Sequence, residues 1–390
     1  MIFSYLKKCI NAWDYIALDS SEKQITFYSE GKNYWPYLKN IIEELLTITN
    51  LPIYYITSDK EDPGLHYKNI NLKKILIDEG TIRNWFFKKL NTKILIMTMP
   101  DLDTYQIKKS NKTSYYIYTY HALAGTRKYR KGALDNFDIV FCAGPHNVGE
   151  VRILEKYYNL PKKEIVKTGY SKIDMLFEKY ESYINHNKGQ KKSNSILVAP
   201  TWGNDWGMIE LGKGKMVIES LINQGYNVVL RPHPETFKHS LSKITEIENT
   251  YKNDRRFTIE KNVSRDLTLF ESTALVTDWS GIAWEYALVL KKPILFLDTP
   301  QRIDNPEINK LPVNSLYNIS TSKYDLGNNM ESFEIIMRSK CGVIWDGTSN
   351  IIDLIDNQHN ESLDVSNYVY NVKNSAKVSA EFIKNLAYAQ

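Results

Sequence analysis

The sequence predicts an α/β protein of two doubly wound domains facing each other across a cleft. Short runs that are apolar on both faces alternate with amphipathic segments, as parallel strands covered by helices on both sides require. The alternation breaks at one polar, basic stretch, ESYINHNKGQKKSNS, and then restarts. At 390 residues the chain also exceeds the size at which a single hydrophobic core stops growing.

In the first half, QITFYSEG (24–31) reads as a strand entering a polar turn. YWPYLKNIIEELLTI (34–48) reads as a helix, with Tyr37, Ile41, Leu45 and Ile48 at helical spacing. LPIYYITSD (51–59), KKILID (73–78), TKILIMTMP (92–100), SYYIYTYHALAG (114–125) and FDIVFCAG (137–144) follow as strands. A helix (NVGEVRILEKYYNL), a short strand (EIVKTGY) and a further helix (KIDMLFEKY) complete a domain spanning 1–180, with a linker at 181–194. Beyond it, SILVAPTWG (195–203) is a strand and turn, and GKGKMVIESLINQG (212–225) a helix ending at a glycine. YNVVLRPHP and RFTIEK are strands, LTLFESTALVTD a helix-to-strand pair, SGIAWEYALVLKK a helix and PILFLDTP (293–300) a strand. This second Rossmann-like unit covers 195–365. The last residues, 366–390, read as a helix placed to cross back onto the first domain. In such folds ligands bind beyond the carboxyl ends of the strands.

Composition narrows the function. With 43% hydrophobic and 24% charged residues the chain has the make-up of a soluble globular protein, and no stretch approaches the roughly 20 apolar residues of a membrane span. The start, MIFSYLKKCINAWDYIALDSSEK, lacks the parts of a secretory signal, so the expected location is the cytoplasm. Cys9, Cys142 and Cys341 are far apart, which excludes a disulfide scaffold and gives no zinc spacing. The formal charge is +5, with basic islands at Arg127, Lys128, Arg130 and Lys131, at Lys162 and Lys163, and at Lys188, Lys191 and Lys192. Each island suits either plain solvation or an anionic ligand or membrane face. No nucleic-acid motif accompanies them, so no nucleic-acid partner is expected. No G-x-G-x-x-G follows a strand and no P-loop occurs, which disfavours nicotinamide enzymes and P-loop kinases.

Several stretches carry candidate chemistry. In TDWSGIAWEYA, Asp278, Ser280 and Gly281 open a helix; free backbone N–H groups and small side chains there suit phosphate, while Asp278 or Ser280 as a plain cap is the alternative. In VLRPHP, Arg231 and His233 leave a strand between two prolines that preset the backbone, and both types donate to phosphate oxygens; a structural histidine in a turn is the alternative. His121, at the carboxyl end of the strand in YTYHALAGTRKYRKG, is placed to act as a general base or else to sit buried as a strand cap. Arg127 and Lys128 after it suit an anionic acceptor, a product phosphate or plain solvation. Thr201, Trp202 and Gly203 form a turn suited to a sugar or diphosphate, or an ordinary strand-to-helix turn. Gly169, Lys172 and Asp174 mark the hinge, with Asp174 structural.

Taken in order, HALAGTRK, GYSKID, RPHP, TDWSG and KKPILF resemble the CDP-glycerol glycerophosphotransferase family, the teichoic-acid and capsule polymerases and primases, over residues 115–300. The family pattern has glycine after the base histidine and commonly a second serine at the helix start; this chain has Ala122 and Gly281. The resemblance implies a glycosyltransferase B architecture with the donor on the second domain. It implies His121 as catalytic base, and Arg231, His233 and Ser280 as ligands of the donor diphosphate, with Asp278, Gly281 and Thr201 beside them. It further implies a CDP-linked polyol donor, a lipid-linked or oligosaccharide acceptor, no metal or other cofactor, and peripheral contact with the inner face of the membrane. For that contact MIFSYLKKCINAWDYI offers an interfacial helix or, equally, a core helix. Two other functions fit the same residues: a glycosyltransferase using a CMP- or UDP-linked sugar, and a non-catalytic nucleotide-binding or scaffold protein.

Overall fold

The computed structural model describes residues 2–77, 80–105, 107–189, 193–262, 266–311, 333–358 and 363–389, without the side chains of the first six residues and residue 336. Asp78, Lys191 and Lys192, named above at a strand end and in the linker, lie outside them, as do residues 312–332 of the expected second domain. Strands β1 (Ile25–Ser29), β2 (Ile53–Thr57), β3 (Leu72–Leu76), β4 (Ile94–Met97), β5 (Tyr115–Thr119), β6 (Ile139–Cys142) and β7 (Glu164–Lys167) form one parallel sheet, in the order β3-β2-β1-β4-β5-β6-β7. Strands β8 (Ser195–Val198), β9 (Asn227–Leu230), β10 (Phe257–Ile259), β11 (Ala274–Thr277), β12 (Ile294–Leu297) and β13 (Val343–Trp345) form a second, in the order β10-β9-β8-β11-β12-β13.

The helices on the first sheet are α1 (Ile2–Ala17), α2 (Trp35–Ile48), α3 (Thr81–Lys89), α4 (Pro145–Tyr157) and α5 (Ser171–His186). The second sheet carries α6 (Lys213–Asn223), α7 (Pro234–His239), α8 (Leu241–Tyr251), α9 (Leu267–Glu271), α10 (Ile282–Glu285), α11 (Phe333–Cys341) and α12 (Ile352–Asp356). The final helix, α13 (Ser375–Tyr388), returns to the first domain. The central strands β1, β4 and β6 are buried along their whole length. Their apolar side chains go to both faces because each face is covered by helices.

Two crossings join the halves. Residues 181–186 of the expected linker are helical: α5 continues to His186, because Tyr180 and Tyr183 sit at helical spacing and pack their rings on Phe270 of the second domain at 5.3 and 5.5 Å. Polar composition had masked that apolar stripe. The second crossing precedes α13, whose Ala376, Ala380 and Ile383 share a core with Leu38, Ile41 and Leu45 of α2. Asp174 caps it, accepting from the N–H groups of Lys373 at 2.6 Å and Ser375 at 2.8 Å. Gly169, at φ +94°, lets this return segment close in, since a Cβ there would sit 2.1 Å from the Tyr370 carbonyl oxygen. A continuous apolar layer runs between the domains, with Leu123, Tyr170 and Ile173 from one side and Phe270, Trp284 and Tyr286 from the other.

The helix at 280–292 is shorter and less regular than its sequence suggests. One α-turn, α10, passes into a π-turn over Tyr286–Leu290, which ends at Lys291 in a left-handed conformation (φ +55°).

Candidate active site

The strand ends of the first sheet build one wall of the cleft. His121 follows β5, and its Nδ1 lies 3.1 Å from the carbonyl oxygen of Thr98, the first residue past the neighbouring strand β4. A carbonyl only accepts, so Nδ1 carries the proton and Nε2 keeps its lone pair. The rings of Tyr34 and Tyr37, from the start of α2, stand edge-on to the imidazole at 5.5 and 6.2 Å. Burial lowers the basicity of His121; the Thr98 carbonyl opposes that, and the Lys172 ammonium adds to it. The histidine is therefore neutral at physiological pH with Nε2 as acceptor, the state a general base requires.

The opposite wall is the loop after β9. His233 is the N-cap of α7, and its Nδ1 accepts from the Glu235 N–H at 3.2 Å. Nε2 therefore carries the proton and points a donor, not a lone pair, away from the helix. Burial pushes His233 down to about 4, with the Glu235 carboxylate opposing and His121 among the groups adding to the drop. Trp202, from the turn after β8, stacks on His233 at 6.0 Å, and the Arg302 guanidinium lies over Trp202 at 4.7 Å.

Other predicted residues are in place but do different work. Arg231 points into its own domain: its Nη2 meets Glu260 at 3.1 Å and Thr268 Oγ1 at 2.6 Å, and the side chain is 4% exposed. The Arg231 N–H still bonds the Val198 carbonyl at 2.8 Å, so the strand geometry carries one residue past Leu230, and alternation turns this side chain inward. The expected fork onto donor phosphates is thus replaced by a buried pair beneath the His233 loop. Asp278 is wholly buried and organises loops: its carboxylate accepts from the N–H groups of Thr201 at 2.6 Å, Trp279 at 2.6 Å and Met208 at 3.1 Å. Burial raises it to about 6 against the pull of these bonds. Thr201 reaches the site through this backbone bond. Ser280 is half-buried at the cleft and its carbonyl accepts from Ala283 at 3.2 Å. Gly281 stands against the base loop, where a Cβ would meet the Ala122 Cβ at 3.4 Å. The two departures from the family pattern therefore touch across the cleft.

Arg127 and Lys128, expected to hold an anionic acceptor, latch the domains together instead. Arg127 is 3% exposed and donates from Nη2 to the Leu311 carbonyl at 3.0 Å; its own carbonyl accepts from Asn305 at 3.1 Å. Lys128 pairs with Glu334 of α11 at 2.8 Å. Glu334 also accepts from Gly125 N–H at 2.8 Å, and Glu150 of α4 accepts from the N–H groups of Thr126 and Arg127. Burial, reinforced by Glu334, pushes Glu150 up to about 7. Burial is the largest influence on Glu334 and works in the same direction, but the Lys128 ammonium and the backbone N–H groups that bond the carboxylate, Gly125 among them, together outweigh it and hold that carboxyl below its usual range.

The sequence gives no site role to Tyr34, Tyr37, Glu285 or Arg302. Lys172, noted as a hinge residue, pairs with Glu285 at 2.8 Å across the domains and lies over the Tyr37 ring at 5.1 Å. Burial opposes its charge, yet Glu285 holds the ammonium above the usual lysine range. Tyr170 donates to the same carboxylate at 3.1 Å. No local motif announces these contacts, which join segments more than a hundred residues apart.

Two parallel-sheet domains facing each other across a cleft, with a neutral histidine on each wall, make a glycosyltransferase B-like fold. A model of the CDP-Glycerol:Poly(glycerophosphate) glycerophosphotransferase family matches residues 14–301, and the chain belongs to that family. It is a glycerophosphotransferase-like enzyme that uses a nucleotide-activated donor. The solved structure of the wall teichoic acid polymerase TagF with CDPG shares the fold at 15% identity, with a TM-score of 0.59 over 99% of this chain and 94% of that one. The UDP-GlcNAc 2-epimerase of Methanocaldococcus jannaschii, in complex with UDP-GlcNAc and UDP, does so at 11% identity and a TM-score of 0.55, over 94% and 100%. The Neisseria meningitidis UDP-GlcNAc 2-epimerase, bound to UDP-GlcNAc, gives 13% and 0.56 over 93% and 100%. No curated protein matches the chain in sequence. No helix among the described residues is long and apolar enough to cross a membrane.

Proposed function

We propose that this chain transfers glycerol phosphate, or a related polyol phosphate, from a CDP-linked donor to an acceptor hydroxyl of a surface polymer of the teichoic-acid or capsule kind. The observation that carries the reading is the opposite tautomers of the two cleft histidines. His121 Nε2 takes the proton of the acceptor hydroxyl as its oxygen bonds to the phosphorus that bears the polyol. The bond from that phosphorus to the bridging oxygen breaks, and CMP leaves with the electron pair. His233 Nε2–H donates to the diphosphate oxygens, and the 278–281 loop, stitched by Asp278, supports Ser280 beside them. Donors fixed in advance stabilise the developing charge at little reorganisation cost. Arg231 is a positioning residue in this scheme, holding the His233 loop through Glu260.

The reaction proceeds without a metal, so chelation with EDTA leaves turnover unchanged. The enzyme works in the cytoplasm, at the membrane face that presents a lipid-linked or oligosaccharide acceptor. Support for that contact comes from α1, where Ile10 is 57% and Trp13 64% exposed, with Trp13 stacked on Trp85 at 5.7 Å.

The deciding experiment incubates the purified protein with CDP-glycerol, CDP-ribitol, CMP- and UDP-linked sugars and follows release of the nucleotide in the presence of short glycerol phosphate oligomers. CMP release matched by oligomer growth, abolished in His121→Ala, is the expected result. Turnover of a sugar nucleotide in place of CDP-polyols would replace this reading with a glycosyltransferase, and nucleotide binding without turnover would make the protein a binding module.

A further inference from the structure

The segment after β12 passes from the second domain to the first and touches loops of both walls. On the donor side the Thr299 carbonyl accepts from Trp279 Nε1 at 2.6 Å, and the Arg302 guanidinium lies over the ring of Trp202 at 4.7 Å and over that of Trp206 at 5.8 Å. Trp202 in turn stacks on His233, with the ring planes 24° apart. On the acceptor side the Asp304 N–H bonds the Lys128 carbonyl at 2.9 Å, and the buried Asn305 donates to the Arg127 carbonyl at 3.1 Å. Both carbonyls belong to the loop that starts at His121.

Arg302 is where the two sets of contacts meet. Its Nε and Nη2 both reach Asp304 Oδ2, at 3.0 and 2.9 Å, so the residue that bonds the base loop through its backbone grips the guanidinium with its side chain. A guanidinium held by a carboxylate at its edge keeps its flat face for a ring, and an indole face attracts a cation. The contacts therefore run without a break from the Lys128 carbonyl through Asp304, Arg302 and Trp202 to the His233 ring. The Arg302 and Asp304 side chains are 33% and 32% exposed. An ion pair that open adds little stability, so its effect belongs to the placement of Trp202 and not to the strength of the fold.

We infer that Arg302 is a positioning residue for the transfer: acting through Trp202, it fixes the His233 ring relative to the loop that carries the base. This rests on the transferase reading of the same cleft. In this role Arg302 touches neither donor nor acceptor, so its removal lowers the rate and leaves donor affinity in place.

The test compares wild-type protein with Arg302→Ala, Arg302→Lys and Asp304→Asn. Four quantities are read: CMP release from CDP-glycerol with glycerol phosphate oligomers, CDP binding by calorimetry, Tm, and the histidine ring signals by NMR, with His233 assigned through His233→Asn. Arg302→Ala should lower kcat about three- to thirtyfold, the range of one cation over an aromatic face, with CDP affinity and Tm held and the His233 signals displaced. Arg302→Lys, which keeps the cation, should recover most of the rate. Asp304→Asn, which keeps the backbone bond to Lys128 but loosens the guanidinium, should fall between. In a Trp202→Leu background Arg302→Ala should cost no further rate. An unchanged kcat, CDP binding weakened with kcat kept, an equal loss in the Trp202→Leu background, or unmoved His233 signals overturns the assignment. Wild-type protein that releases no CMP overturns the transferase reading instead, and the NMR signals still report whether Arg302 places the ring.

Discussion

His121 and His233 face the same cleft from different sheets, both driven neutral by burial, yet the backbone gives them opposite tasks. At the first sheet a carbonyl occupies Nδ1 and leaves a lone pair for the substrate; at the second an amide N–H occupies Nδ1 and leaves a proton. Residue type alone would make the two interchangeable. The group behind each ring decides which is base and which is phosphate donor, so the comparison can be broken by changing one ring at a time.

The largest effect is expected for His121→Ala, which removes the base: kcat should fall about 10²- to 10⁴-fold while CDP binding, measured by calorimetry, persists. His233→Asn keeps a side-chain cap for α7 but loses the reach of Nε2. It should lower kcat/KM for the donor about 10- to 100-fold with Tm retained, whereas His233→Ala should lose Tm as well.

The pH dependence separates the histidines from the interdomain latch. Both histidines have folded values below the unfolded one, so the folded state binds fewer protons; their contribution to stability is present above about pH 6.5 and declines as pH falls below it, for His233 being lost as pH falls through about 4. Transfer should accordingly be flat near neutrality and decline only below the ordinary histidine range, as kcat against pH will show. Glu150 has the opposite sign. Its folded value is raised from 4.5 to about 7, so its contribution is present below pH 4.5 and is lost as pH rises through about 7. Glu150→Gln, which keeps an acceptor for the Thr126 N–H, should therefore stabilise the protein by about 1–3 kcal/mol at pH 8 and by much less at pH 5, read from urea unfolding at both pH values. The smallest effect belongs to the point where the walls meet. Gly281→Ala brings a Cβ to 3.4 Å from the Ala122 Cβ, an ordinary contact, and should change stability by less than about 0.5 kcal/mol with kcat intact.

Much of this was legible in the sequence because it is local. Alternating apolar runs gave both parallel sheets, and the strand-end positions of His121 and His233 followed from RPHP and from the end of YTYHALAG. What could not be read depends on partners brought from elsewhere. Arg231 is turned inward by Glu260, 29 positions on, and by Thr268, 37 positions on. Arg127 meets a carbonyl 184 positions away, so a loop cation that reads as an anion site becomes a latch. Glu285 lies inside TDWSGIAWEYA but outside its phosphate reading, and its value lies in Lys172 and Tyr170, which the folded chain sets opposite it. The helical end of α5 was hidden differently: its polar residues outnumber the two tyrosines that bind it to Phe270.

The return of α13 to α2 has a bearing on how the molecule is made. A layer of the first core needs Ala380 and Ile383, and Thr49 at the end of α2 hydrogen-bonds Tyr388, 339 positions downstream. During synthesis the first domain emerges with that groove uncovered and cannot finish packing until the whole second domain has left the ribosome. The half that carries the base is thus completed after the half that carries the donor loops, and a fragment cut at the crossing after α5 would be left with an open apolar seam rather than a finished domain.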